Sequence, residues 1–272
     1  MSLIINTNIA SMIAQKNLGA VTMRLQGNYA RLSSGLRITS AADDAAGLGI
    51  SERLRSKIAA WSTAGRNTQD GVSLAQTGEG ALNGVTNMLS RMRELATQSA
   101  NGTLSATDRT TLDNEFQKLS SEIDRVATTT EFNDIKLLDG SAASATIQVG
   151  INSGDTIGVG LQDTKAATLG IAALSVTSAA NASAAIAALG TAIDTVNTAR
   201  GQFGADMNRL QSAYSNTQTQ NQNLSAAESR IRDVDVASET AAMTRNSILQ
   251  QAAVSVLSQA NVQPQLALKL LG

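Results

Sequence analysis

The 272-residue chain contains no cysteine and no histidine, and these two absences exclude much ordinary protein chemistry. Without cysteine there is no disulfide framework and no thiol nucleophile. Without histidine the commonest general base is missing, and cysteine and histidine together are the usual ligands of structural zinc. The composition therefore disfavours an enzyme, and we expect no cofactor and no metal.

Aromatic residues and net charge are also scarce. One tryptophan, two tyrosines and three phenylalanines disfavour a wide enzyme-like core and favour thin helical seams of aliphatic residues. The 21 basic and 22 acidic residues nearly cancel and are interspersed, so the basic patch of a nucleic-acid or membrane-surface binder is missing. Because no stretch approaches 18 uninterrupted apolar residues, we also expect no membrane-spanning segment.

The N-terminus does not have the pattern of a cleaved secretory signal, which is a basic region, an apolar core and a small-residue cleavage site. Any export is therefore expected to use another route. Asp43 and Asp44 are the one pair of adjacent carboxylates to weigh as a metal site. In an alanine-rich turn such a pair is more typical of a helix start, which is the interpretation favoured here.

The two ends of the chain are almost free of charge. Lys16 is the only charged side chain in residues 1–23, and Lys269 is the only one in residues 246–272. Apolar residues near both ends recur at spacings of three and four, which predicts helices that are apolar nearly all round. One partner helix cannot cover such a surface, so neighbouring copies of the chain are expected to cover it. The predicted polymerisation contacts are Ile5, Ile9, Ile13, Leu18, Val21, Leu25, Ile248, Leu249, Val256, Leu257, Leu266 and Leu270.

Between the ends, glycines and the Asp pair within residues 32–50 predict a turn after the first helix. Long helices are then predicted at about 45–100, 105–127 and 180–232. Short β-branched runs at 135–138, 146–149 and 156–161 predict β-hairpins within about 134–162. Their connections are expected at Asp139-Gly140 and at residues 152–155.

The last of these helices carries the longest regular pattern. One heptad row is predicted at Leu189, Val196, Phe203, Leu210, Thr217, Leu224 and Ile231, and a second at Ile186, Ile193, Arg200, Met207, Tyr214, Asn221 and Glu228. Polar residues weaken both rows toward the C-terminal part. A flexible joint near residues 221–232 is therefore a hypothesis.

These patterns predict a mainly α fold, with a long coiled-coil-like helical bundle formed by the N- and C-terminal regions and a small β-hairpin region in the middle. Residues 1–35 and 235–272 are expected to form an inner helical domain from the paired termini. Residues 36–234 are expected to form an outer core domain.

Five segments, in order along the chain, resemble bacterial flagellin. They are INTNIASMIAQKNL, LSSGLRITSAADDAAGLGIS, RMRELATQSANGT, SEIDRVATTTEFNDIKLLDG and ESRIRDVDVASETAAMTRNSILQQAAVSVLSQANVQPQLALKLL. The resemblance implies that the termini form the inner tube of the flagellar filament and that the middle forms the shell around it. The chain leaves no room between Leu161 and the last long helix for outer domains, so it resembles a minimal, core-only flagellin.

The same resemblance implies the partners and the location. These are other flagellin subunits, hook-junction and filament-cap proteins, an export chaperone and the flagellar type III export apparatus, with an extracellular filament as the destination and no cleaved signal. It also implies recognition by the host's flagellin-sensing Toll-like receptor, for which Arg91, Leu95 and Glu115 are the candidate contacts. The alternative is an ordinary packed helix with a solvated charged face, and Thr97 stands where an aliphatic residue is expected.

Two other classes of protein remain open on the sequence. A protein of the hook–filament junction shares similar helical ends but would not polymerise alone. A soluble coiled-coil adaptor is the other, and it would not need charge-free segments at both ends.

Overall fold

The computed structural model describes the backbone of residues 7–271 and the side chains of residues 7–262. Within this part of the chain there are five helices and two antiparallel strand pairs, which confirms the mainly α prediction. The elements are α1 (Ile9–Ser34), α2 (Ala45–Ser99), α3 (Ala106–Thr129), β1 (Glu131–Phe132), β2 (Ile135–Lys136), β3 (Ser144–Gln148), β4 (Thr156–Gly160), α4 (Ala179–Arg232) and α5 (Val236–Leu271).

Polar side chains set the helix starts. Asn8 caps α1, accepting a hydrogen bond from the Ser11 N–H at 3.0 Å. Ser105 and Asp108 form a reciprocal capping box at the start of α3. The hydrogen bonds from Ser105 lower the pKa of Asp108. At the start of α2, the Asp44 carboxylate accepts from the Gly47 N–H at 2.8 Å, so this residue acts as a helix-start carboxylate.

The turn after α1 is shorter than the glycine pattern predicts. α1 ends at Gly35, whose φ of 72° is the left-handed conformation common after helices. α2 already begins at Ala45, so Gly47 and Gly49 lie inside this helix and do not interrupt it. Both glycines lie near the start of the helix. Gly47 leaves room for the Asp44 carboxylate and for Ile38, which is 2% exposed, because a Cβ at this position would lie 2.8 Å from Ile38 and closer still to Asp44.

The chain divides into two compact units. The first is formed by the described residues up to Ser56 together with the chain from Asn223 onward, and it contains α1 and α5. The second runs from Lys57 to Gln222 and contains α3, both hairpins and most of α2 and α4. The predicted inner domain of residues 1–35 and 235–272 lies within the first unit, and its role in a filament stays a prediction.

A continuous hydrophobic core fills the second unit. Its largest fully buried side chains include Phe116, Phe203, Leu82, Leu89, Met92, Ile123, Leu137, Leu138, Ile171 and Leu189. The Leu189 row of α4 is buried from Leu189 to Thr217. The second buried row of α4 lies one residue before the predicted row. Ala185, Ala192 and Ala199 are buried, whereas the predicted row that begins at Ile186 is half-buried. The small alanines fill the buried row, and the larger residues beside them pack at its edge.

The first hairpin is not where the sequence predicts it. β1 and β2 pair through the two-residue turn Asn133-Asp134, where both residues have positive φ, 49° and 63°. This matches the type I′ geometry that suits the twist of a hairpin and that Asn and Asp tolerate. Ile135 therefore pairs back with Phe132, and Asp139-Gly140 is not a hairpin turn. The second hairpin joins β3 to β4 across residues 149–155, which include the predicted connection.

The segment from β4 to α4 has little regular structure, yet α3 holds it firmly. Asp124 accepts from the Ala166 N–H and Asp113 from the Val176 N–H, both at 2.7 Å. Gln117 donates to the Leu174 carbonyl at 2.8 Å. These three α3 side chains satisfy backbone groups that a helix or sheet would otherwise satisfy. The chain thus passes from the second hairpin to α4 along its own core, without an outer domain.

Candidate assembly interface

α1 and α5 pack against each other in antiparallel orientation. Near the start of α1, the Asn8 side chain donates to the Ala260 carbonyl at 2.8 Å. Near its end, the Asn28 side-chain oxygen accepts from Asn246 at 2.7 Å. Since low numbers in α1 meet high numbers in α5, the two termini pair as oppositely directed helices of one chain.

The facing residues of both helices follow heptad spacing. In α1 the buried or half-buried row is Ser11, Ala14, Leu18, Val21, Leu25, Asn28 and Leu32. In α5 it is Glu239, Met243, Asn246, Gln250, Ala253, Leu257 and Ala260. Steps of three and four alternate in each row, which is the repeat of a coiled-coil seam. These two rows are called the seam below.

A polar cluster lies inside the seam. Asn28 is only 7% exposed and donates to the Glu239 carboxylate at 2.5 Å while it accepts from Asn246. Arg31 lies 3.8 Å from Glu239 and 3.3 Å from Asp43. A buried asparagine in a seam favours the register in which its partners face it, since any slip leaves its amide unsatisfied. The cluster therefore fixes how α1 and α5 align.

The bend that follows α1 and the bend that precedes α5 lie at the same end of this helix pair and are also hydrogen-bonded to each other. The Arg37 N–H and guanidinium donate to the carbonyls of Arg232 and Ile231, each at 2.6 Å in the shortest contact. The Arg232 guanidinium in turn donates to Glu52 at 2.6 Å, and this hydrogen bond lowers the pKa of Glu52. The chain entering α2 and the chain leaving α4 thus hold each other within the first unit.

The predicted polymerisation residues separate into two groups. Leu18, Val21, Leu25 and Leu257 lie in the seam and pack within their own chain. Ile9, Ile13, Ile248, Leu249 and Val256 are instead 56%, 55%, 61%, 43% and 59% exposed. Ile5, Leu266 and Leu270 lie outside the residues whose side chains the structure describes. The five exposed residues are called the outward apolar face below.

Six further large apolar side chains on the same helices are exposed and were not among the predicted contacts. They are Met12 (62%), Met23 (68%), Tyr29 (55%), Val236 (61%), Val254 (51%) and Val262 (42%). Three-and-four spacing detects the seam, because the seam is the periodic feature. The outward residues repeat that spacing only over short stretches, such as Ile9 to Ile13 and Ile248 to Ala252 and Val256. The signal that marks them is the absence of charge over both terminal stretches, which leaves both sides of the helices apolar.

The candidate receptor contacts lie in the second unit. Arg91 donates to Glu115 at 2.9 Å and to Glu94 at 3.0 Å, and these carboxylates raise the pKa of its guanidinium. Arg91 and Glu115 are both exposed. Leu95 is 1% exposed and belongs to the core, so a partner that docks on the folded chain reaches the ion pair but not this side chain.

These features define a class: a helical structural protein whose two termini pair and leave large apolar side chains uncovered. Comparison with known proteins gives the family. Residues 5–143 match the bacterial flagellin N-terminal helical region, and residues 186–271 match the bacterial flagellin C-terminal helical region. A flagellin of Halalkalibacterium halodurans is 47% identical over 271 residues, covering 99% of this chain and all of that one.

Solved structures agree with this result. The crystal structure of Bacillus cereus flagellin is similar with a TM-score of 0.52 and 42% identity, covering 60% of this chain and 94% of that one. A structure described as a flagellar hook-associated protein from Vibrio parahaemolyticus has a TM-score of 0.60 at 16% identity, covering 70% of this chain and all of that one. At that identity the second likeness shows the fold alone.

The chain belongs to the bacterial flagellin family. It is a short, core-only flagellin, in which the two family regions are joined by the second hairpin and the segment held along α3. Its function is that of a structural subunit of the flagellar filament.

Proposed function

We propose that subunits of this flagellin join by burying the outward apolar face of α1 and α5 between neighbouring copies. The observation that carries the proposal is the 43–61% exposure of five large apolar residues on helices whose other side is already packed. Removing apolar surface from water contributes roughly 25 cal/mol for each Å². Several such side chains per subunit supply a substantial driving force for polymerisation.

The seam explains why the outward apolar face is expected to be buried between chains. The heptad positions of α1 and α5 already pack against each other within the subunit, so the outward apolar face has no further partner among the described residues of its own chain. A contact between different faces of identical subunits that does not close into a ring builds a helical fibre. That is the geometry of a filament, and homopolymerisation is its consequence.

The remaining partners follow from the same exposed termini. Before assembly, an uncovered apolar helix is marginal and prone to aggregation, so we propose that a cytoplasmic export chaperone binds the C-terminal helix. We include export through the flagellar type III apparatus without a cleaved signal, and contact with hook-junction and filament-cap proteins. The flagellum is the location that this family implies.

The proposal includes neither catalysis nor binding to nucleic acid or membrane, and composition supports this. Among the described residues, α4 is the one helix long and apolar enough to cross a bilayer. Its apolar row from Leu189 to Leu210 packs in the core of the second unit, so this side of the helix is already covered within the chain.

The exposed ion pair of Arg91 and Glu115 supports a secondary role as ligand of the flagellin-sensing Toll-like receptor. In a reporter-cell assay with monomer, Arg91→Ala and Glu115→Ala are expected to lower signalling by about tenfold, as loss of a charged contact does at many interfaces. Arg125→Ala removes another exposed, paired arginine and is the matched control. Equal signalling from all variants rules out this patch.

Seeded polymerisation tests the main proposal. Ile13→Asn, Ile248→Asn and Val256→Asn are each expected to raise the critical concentration for assembly by about tenfold or more, since burying one aliphatic side chain contributes about 1.5–3 kcal/mol. Gln15→Asn and Gln251→Asn change exposed polar residues of the same helices and serve as controls. Circular dichroism should match in all monomers, because the changed side chains are exposed.

The assembly experiment has three possible outcomes. Fibres from the parent chain and the controls, with weak assembly of the apolar-to-Asn variants, support the proposal. Unchanged assembly of all three variants overturns it. If the intact chain stays monomeric even with seeds, the polymerisation proposal fails and the hook–filament junction becomes the role to test next.

A further inference from the structure

The chain has seven methionines and no cysteine, so methionine is its only oxidisable sulfur. Six of them lie among the residues whose side chains the structure describes. Met92 is fully buried in the core of the second unit. Met88, Met207 and Met243 are half-buried. Met12 and Met23 stand apart, at 62% and 68% exposure, and both are on α1.

The two exposed methionines share one side of the helix. They are eleven residues apart, which is about three turns of an α-helix and leaves them about 20° apart around its axis. The seam residues Leu18 and Leu25 point to the other side, toward α5, and Leu25 is buried. Met12 and Met23 therefore lie along the outward side of α1, and Met12 is beside the exposed Ile9 and Ile13.

We propose that Met12 and Met23 are oxidation sites that control assembly: in the free subunit a peroxide converts them to sulfoxides, and the oxidised subunit no longer polymerises. This inference rests on the proposed function, because it takes the outward side of α1 to be buried between subunits. It adds a chemical control that the polymerisation proposal does not contain.

The reaction needs only the thioether and the oxidant. A sulfur lone pair attacks one oxygen of hydrogen peroxide, the O–O bond breaks, and proton transfer yields the sulfoxide and one water molecule. Sulfur loses two electrons, which reduce the peroxide. Methionine sulfoxide reductases reverse the modification with a thiol reductant, so the block on assembly is reversible.

The physical effect follows from polarity. A thioether is a flexible apolar group that suits a tight helix contact, whereas a sulfoxide carries a strong hydrogen-bond acceptor. Burying that acceptor without a donor carries a desolvation cost, which corresponds to about a tenfold higher critical concentration for each sulfoxide. Once subunits have assembled, the same contact shields the sulfurs from the oxidant.

Peptide mapping by mass spectrometry tests the site itself. Monomer treated with hydrogen peroxide should oxidise at Met12 and Met23 at least about tenfold faster than at the buried Met92, which is the internal control. In assembled filaments the rates at Met12 and Met23 should fall by a similar factor. Equal rates at all three residues in the monomer, or equal rates at Met12 and Met23 in monomer and filament, overturn the inference.

Seeded assembly after peroxide treatment tests the consequence. The double variant Met12→Leu/Met23→Leu keeps apolar bulk without sulfur, so it should assemble equally well before and after treatment, whereas the parent chain loses assembly. Met88→Leu/Met207→Leu is the matched control and should remain sensitive. If the Met12/Met23 double variant is as sensitive as the parent, the inference fails.

Reduction with a methionine sulfoxide reductase should restore assembly of the parent chain, and a failure to restore it also counts against the inference. These results are separable from the polymerisation proposal. The polymerisation proposal fails if the untreated parent does not assemble. The oxidation inference fails if the parent assembles but the oxidation rates, the Met12/Met23 double variant or the reductase give one of the contrary results named above.

Discussion

At the bend after α1, one carboxylate organises the turn. Asp43 accepts hydrogen bonds from the backbone N–H and the hydroxyl of both Thr39 and Ser40, at 2.9–3.2 Å, and from Arg31 at 3.3 Å. These donors, led by the Thr39 hydroxyl, hold the pKa of Asp43 far below its usual range. The ionised form is therefore the one that the folded turn favours.

The sign of the pH dependence follows from that direction. A carboxyl whose pKa is lowered by folding stabilises the native state above its ordinary pKa, near about 4, and this contribution is lost as the pH falls toward the lowered pKa. The hydrogen bond from Arg232 lowers the pKa of Glu52, so this carboxylate also stabilises the native state less as the pH falls. We therefore expect the thermal midpoint of the first unit to decrease between about pH 5 and pH 2.

Asp43→Asn isolates this contribution. The variant should have a lower thermal midpoint than the parent at pH 7, and the gap should narrow in acid, because the parent then loses its own carboxylate. Thermal unfolding followed by circular dichroism at several pH values measures it, with Asp70→Asn, at an exposed position in α2, as the control. A gap that does not change with pH would contradict the account.

At the scale of the element, the spacing of apolar residues predicts the helices and one buried row on α1 and on α4. The Leu189 row of α4 and the alternating spacing of α1 are evident in the sequence. The alanine row at Ala185, Ala192 and Ala199 is not, because alanine is common on every face of an alanine-rich helix. Small residues become identifiable as seam positions only when a neighbouring helix is known to lie against them.

The first hairpin shows a second limit. Two-residue strands are too short for an alternating pattern, and the signal for this hairpin is the turn Asn133-Asp134 rather than the strands. Asp139-Gly140 carries an equally strong turn signal, but it belongs to a segment that leads into the connection along α3. Local turn chemistry identifies a turn without deciding which strands it joins.

Glycines inside α2 differ in what they do for packing. A Cβ at Gly78 would lie 2.8 Å from the ring of Phe203, which is fully buried, whereas a Cβ at Gly84 would meet nothing within 4 Å. Gly78→Ala should destabilise by about 1–3 kcal/mol through overpacking. Gly84→Ala should instead stabilise by up to about 1 kcal/mol, since alanine favours a helix.

Urea unfolding midpoints of the two glycine variants and the parent measure this difference. The two variants introduce the same methyl group into the same helix, so each is the other's control. Stabilisation by both would mean that α2 does not lie against Phe203 as closely as the structure shows.

At the scale of the whole molecule, the core belongs to the second unit. Its buried cluster runs from Leu74 to Leu210, and the helix pair of the first unit contributes none of it. A fragment of residues 57–222 is therefore expected to fold alone, with helical circular dichroism and cooperative unfolding, and to remain monomeric at concentrations where the full chain assembles. A fragment that unfolds without cooperativity, or that forms fibres, would contradict this division.

The sequence predicts one role for both termini, which stays a prediction, and does not separate the roles of the individual residues in them. Charge-free ends indicate burial between copies, yet only the structure shows that Leu18 and Leu25 face α5 of the same chain while Ile13 and Val256 face outward. The two uses cannot be separated from one sequence, because a residue packed within a chain and a residue packed between chains are equally apolar. The hypothesis of a joint at residues 221–232 stays a prediction, with the boundary between the two units falling inside it.

A helical reconstruction of the assembled filament by electron cryomicroscopy, at a resolution that shows side chains, tests the central claim most directly. The account predicts that Ile9, Ile13, Ile248 and Val256 are buried against neighbouring subunits, and that Leu18 and Leu25 still contact α5 of their own chain. A filament in which those four side chains face solvent or the central channel, with subunits joined only through residues 57–222, would contradict it.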